Sequence, residues 1–124
     1  MIIKSEDFYQ SLKSSFMVEN FSFDEISQLH YIDGRLIHGN LKIGDGFNQL
    51  HIYTFIKPVN YENSELNVLD VQKTNLFIEK ILCYGRSIDG LEAGDAARIF
   101  LQGQINEKYL KMQPQLWINL SVSS

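Results

Sequence analysis

Two glycine turns, Asp33-Gly34 and Gly44-Asp45-Gly46, punctuate a β-rich stretch from Leu29 to Lys57 and constrain the fold more than any other feature. Asp-Gly suits the positive φ angles of a type I′ hairpin turn. Ile32 is therefore expected to pair with Arg35, and His30 with Ile37. Ile37, Gly39, Leu41 and Ile43 then alternate with His38, Asn40 and Lys42, the period of a half-buried strand. For a third strand, Asn48 to Lys57, the hydrophobic pattern selects pairing of Ile43 with Asn48, which sets Leu41 by Leu50 and Gly39 by Ile52. A slip of one residue would exchange the two faces. The expected product is a three-stranded antiparallel meander whose non-core face carries Tyr31, Leu36, His38, Asn40, Lys42, His51, Tyr53 and Phe55.

Helices are expected on either side of it. Ser5 followed by Glu6 and Asp7 resembles a capped helix start, and Phe8, Leu12 and Phe16 at i, i+4 and i+8 predict about three turns ending near Asn20. Ser22 and Glu25 have capping-box spacing, suggesting a further short helical turn. Pro58 ends the third strand and Asn60 to Glu65 form a polar loop. Leu66 to Val71 fits either a fourth strand or the start of a helix. Phe77, Ile78, Ile81 and Leu82 predict a helix stopping at Gly85. Leu91 to Gln102 predicts another, with Ala93, Ala96 and Ala97 allowing close approach and Gly103 ending it. Leu116 to Val122 alternates as a strand. With no linker and no internal repeat, residues 1–124 are expected to form a single α+β domain. Its antiparallel or mixed sheet of four or five strands would carry an N-terminal helix and two further helices, packed mainly on one face.

Composition narrows the function. Eleven Lys and Arg stand against fifteen Asp and Glu, giving a net charge of −4, which argues against a nucleic-acid ligand. The hydrophobic fraction of 44% excludes a disordered chain. No window approaches the roughly 20 apolar residues needed to cross a bilayer, and nothing resembles a secretory leader, so a cytoplasmic protein without membrane contact is expected. The single cysteine, Cys83, excludes an intrachain disulfide and reads as a small buried hydrophobe.

Catalytic chemistry finds no foothold. His38 and His51 share the non-core face while His30 points away, so two histidines and Asn40 fall short of a zinc ligand set. No Gly-x-Ser-x-Gly elbow is present, and no base is placed beside Cys83. The glycines at 85, 90, 94 and 103 do not form a phosphate loop. Glu92 and Asp95 read as helix-start carboxylates. No catalytic residue, metal or cofactor is expected.

The meander's outer face is the better candidate, because tyrosine, histidine and asparagine combine contact area with adaptable hydrogen bonds. The partner-binding residues expected are His38, Asn40, Lys42, His51 and Tyr53, with Glu62 and Glu65 at the rim. The competing explanation is a helix covering the aromatic part of that face.

Ala96 to Asn106, with Ala97, Phe100 and Gly103, followed by Trp117 on a terminal strand, resembles the C-terminal segment of small immunity proteins from bacterial contact-dependent and other polymorphic toxin systems. The resemblance implies a C-terminal helix carrying small residues, and a non-catalytic protein that binds a cognate toxin domain and occludes its active site. A basic toxin domain would be the expected partner. The alternatives are a dimeric secretion or assembly chaperone with a hydrophobic groove, or a small enzyme of undefined activity.

Overall fold

The computed structural model describes residues 1–56, 64–105 and 116–123; Pro58, the Asn60–Asn63 loop, Glu62 and residues 106–115 lie outside them. The architecture is almost entirely β. In chain order the elements are β1 (Ile2–Lys4), α1 (Ser5–Gln10), β2 (Leu12–Asp24), β3 (Leu29–His38), β4 (Asn40–Lys42) and β5 (Gly46–Ile56). They continue with β6 (Glu65–Cys83), β7 (Arg86–Ile88), β8 (Gly90–Glu92), β9 (Ala96–Gln102) and β10 (Trp117–Ser123).

Six strands close on themselves. β2 pairs β3, β3 pairs β9, β9 pairs β6, β6 pairs β5, β5 pairs β10, and β10 returns to β2, all antiparallel. Phe16, Ile32, Leu36, Leu50, Ile81, Ile99 and Leu120 come from all six strands, and each is at most 1% exposed. The core is thus the barrel interior, and closure leaves no free edge around the ring.

The α+β expectation is overturned, and each misplaced helix has a physical cause. Phe8, Leu12 and Phe16 are spaced by four, which is also an even number, so the same spacing fits a strand of period two. Of the expected helix only Ser5–Gln10 forms; Leu12, Ser14, Phe16 and Val18 are buried along strand β2. Ser22 also lies on β2, and Glu25 falls in the turn after it, so no second helical turn forms. In β6, a bulge between Ile78 and Lys80 shifts the phase, so that Leu76, Ile78 and Ile81 are the buried residues. That irregular spacing imitates a helical stripe. Leu66 to Val71 belongs to the same long strand. Leu91 to Gln102 divides into β8, a glycine turn and β9. The terminal strand is as expected.

The meander is overturned as well. Asp33-Gly34 is no turn but runs through the middle of β3, with Gly34 opposite Val18 on β2 and Ala97 on β9. A Cβ at Gly34 would sit 1.9 Å from the Met17 carbonyl oxygen, so glycine is required there for close strand approach. β5 does not touch the 37–43 segment as a partner; it pairs with β10 and β6.

A repeat is present after all. Leu41-Lys42-Ile43-Gly44-Asp45 and Leu91-Glu92-Ala93-Gly94-Asp95 share the pattern Leu-x-x-Gly-Asp. Their leucines face each other in the small β4–β8 sheet and are both 2% exposed. In each turn the glycine takes a positive φ, 92° at Gly44 and 100° at Gly94. Each Asp carboxylate accepts the amide three residues earlier at 2.9 Å, from Lys42 or Glu92. The first turn then grips Ile78 of β6 through its backbone, and the second grips Leu36 of β3 in the same way. Two equivalent units, β3–β4–β5 and β6–β8–β9, therefore clasp each other, each turn fastening the opposite unit's leading strand.

Candidate protein-docking face

The sequence-predicted residues do not form one surface. Asn40 and Lys42 are exposed on β4, flanking buried Leu41. His38 is half-buried at the end of β3, opposite Ser15. Glu65 begins β6 beside Lys4 and Ile56. Leu36, expected on the outer face, is in the core. His51 and Tyr53 do face away from Leu50, as the alternation requires, but they are 6% and 0% exposed. The helix that covers them is α1, crossing from β1 to β2 with Phe8 packed edge-on to His51 at a centroid distance of 5.0 Å.

Beneath α1 these two residues belong to a buried polar chain. Tyr53 Oη donates to Asn119 Oδ1 at 2.9 Å, and Asn119 Nδ2 donates to Ser15 Oγ at 2.9 Å. Ser15 Oγ lies 3.1 Å from Ser121 Oγ, which lies 3.4 Å from His51 Nδ1. Only one direction uses every hydroxyl proton: Ser15 donates to Ser121, and Ser121 donates to His51 Nδ1. The imidazole proton is then on Nε2. Burial pushes the Tyr53 and Tyr9 hydroxyls above their ordinary pKa, so both stay protonated. The network ties β2, β5 and β10 together beneath α1, which is a structural task.

Burial also holds the His51 pKa below its ordinary 6.5. The unfolded chain therefore binds a proton that the folded chain resists. The His51 contribution to stability is fully present above about pH 6.5 and is lost as pH falls through 6.5 toward the depressed folded value. Urea midpoints of the wild type should drop more between about pH 7 and pH 5 than those of His51→Gln; parallel profiles would show that His51 is not the sensing group.

A different face carries exposed recognition chemistry. Strand register places three rows across β6, β9 and β3: Lys80, Phe100 and Tyr31; Leu82, Arg98 and Asp33; then the Tyr84 turn, Ala96 and Arg35. Arg98 donates to both Asp33 oxygens, at 2.7 and 3.1 Å, and its guanidinium lies 4.2 Å from the Tyr31 ring centroid. The Asp33 hydrogen bonds push the Arg98 pKa further up. Lys80 Nζ lies 5.8 Å from the Phe100 centroid, and Tyr31 and Phe100 pack at 5.4 Å. Alongside is an open hollow of about 350 Å³ lined by Asp33, Leu82, Tyr84, Ala96 and Arg98. Tyr84 is 95% exposed and held at φ 51° in the hairpin turn before Gly85. A bulky residue rarely accepts that left-handed conformation.

Of these residues the sequence pattern places only Tyr31 outward, because Asp33-Gly34 resembles a turn and Leu91 to Gln102 resembles a helix. Asp33 and Arg35 continuing from Tyr31 at spacing two, and Arg98, Phe100 and Gln102 likewise, are the strand signal that places the others outward as well.

Among the described residues, no group of three or more His, Cys, Asp or Glu side chains is arranged to hold a metal ion. No described helix is long and apolar enough to cross a membrane. A comparison with protein-family models finds no match, and neither does a search of curated proteins.

Proposed function

We propose that this chain is a non-catalytic protein-binding module that engages its partner through the outer face of β3, β9 and β6. The observation that carries the reading is the Arg98 assembly, in which a guanidinium is fixed by a bidentate carboxylate and an aromatic ring beside the exposed Tyr84. Arginine and tyrosine dominate binding energy at protein interfaces, and fixing them beforehand reduces the ordering cost of association.

The partner's character follows from charge. Arg35 and Arg98 stand on this face and Arg86 follows the Tyr84 turn; these are all the arginines of a chain with net charge −4. A partner surface rich in acidic groups suits them better than the basic domain expected from net charge alone.

Neutralisation of a toxin domain is the specific form of this reading suggested by the sequence. Where that resemblance implies a helix, Ala96–Gln102 is strand β9, so support now comes from the docking face alone. Co-expression with the product of the adjacent gene tests it. A complex is expected, with protection of growth if that product is toxic. Tyr84→Ser combined with Arg98→Ala should weaken the complex by about tenfold or more, while His38→Ala with Lys42→Ala leaves it unchanged. The reverse pattern would move the interface to β4, and no complex would end the immunity form of the proposal.

A further inference from the structure

The crossing of α1 over the barrel leaves a second feature, separate from the docking face. Between α1, β1 and the outer side of β5 and β6 lies a hollow of about 270 Å³. Its walls include Ile3, Phe8, Leu12, Val68 and Val71, with His51 as its one ionisable side chain; no Asp or Glu lines it. Val71, 50% exposed, stands on the solvent side. Ligand pockets have this make-up, apolar walls with a few placed polar groups, and run from about 300 Å³ upward. At about 270 Å³ this one falls just below that range, so its occupant is small.

We propose that this hollow is a binding site for a small carboxylic acid with an apolar tail, whose carboxylate is received by the His51 imidazole. The buried chain through Asn119, Ser15 and Ser121 occupies Nδ1 as an acceptor. That fixes the proton on Nε2 and leaves a ring N–H as the donor. A carboxylate oxygen accepts from it, and the tail replaces water against Phe8, Leu12 and Val71. An acid meets no like charge on the lining. An ammonium group would find no carboxylate there to pair with; Met1, Ser11, Gln49 and Ser123 complete the lining. The Phe8 edge against the ring holds the imidazole plane, so its orientation is set before any ligand arrives.

The experiment is an NMR titration of the intact chain with sodium octanoate, followed at the ring nuclei of His51, with octan-1-ol as the uncharged probe. Saturable shifts at His51 are expected with octanoate and only slight ones at His30 and His38. His51→Gln should weaken octanoate by about tenfold, the effect of losing a charge-assisted hydrogen bond, and weaken octan-1-ol clearly less, because a neutral hydroxyl accepts a weaker bond. Val71→Trp at the solvent side should block both probes. Equal, non-saturating shifts at all three histidines, or no shift at His51 in the wild type, would overturn the proposal. Neither result depends on whether a variant folds.

Discussion

Replacing Gly34 by Ala is expected to lower the unfolding free energy by about 3 kcal/mol or more, the upper part of the range for overpacked sites. The cause is local and unavoidable. A Cβ there lies 1.9 Å from the Met17 carbonyl oxygen and 2.9 Å from Phe16 Cε1, and the first of these is backbone. Relief requires separating β2 from β3, which also pulls Phe16 from the barrel centre. Gly44→Ala is the matched control. At that position nothing lies within 4 Å of the added carbon, and the only penalty is the positive φ of 92°, roughly 1–2 kcal/mol. Urea denaturation of both variants should place Gly34→Ala clearly below Gly44→Ala. Equal losses would mean that β2 and β3 are not packed at this distance.

Asn119→Ala should be at least as damaging, by about 4 kcal/mol, because two buried groups lose their partners at roughly 1–3 kcal/mol each. Tyr53 Oη loses its acceptor and Ser15 Oγ its donor, and both residues are fully buried. The Ser15–Ser121–His51 run then has no fixed polarity. Tyr53→Phe removes one donor only and should be the milder change. Because both side chains act in one network, the double variant should lose less than the sum of the singles. Strict additivity in thermal or urea unfolding would show that Tyr53 and Asn119 do not share a hydrogen bond.

Alternation was legible wherever a strand ran without interruption. Leu50 against His51 and Tyr53 sorted to the correct sides, and the terminal strand was placed almost to the residue. What covers a face is not written in its own strand: burial of Tyr53 depends on Phe8, 45 positions earlier, and on the path of α1. Bulges were the second obstacle. The break between Ile78 and Lys80 converts a period of two into a spacing that helices also show. Asp33-Gly34 misled because glycine serves both turns and close strand contact, and the neighbouring residues cannot distinguish them. Leu41-x-x-Gly-Asp and Leu91-x-x-Gly-Asp, at an offset of 50 residues, were readable from self-comparison and would have predicted the two clasping units. The Arg98–Asp33 pair spans 65 positions and followed only from the register of β3 with β9.

That register is what assembles the docking face, and NOE spectroscopy addresses it directly. Contacts are predicted from Ile32 to Ile99, from Ile81 to Ile99 and from Tyr31 to Phe100, as a closed barrel with Asp33-Gly34 inside a strand requires. Close Ile32–Arg35 and His30–Ile37 contacts of a local hairpin, with none between Ile32 and Ile99, would contradict it.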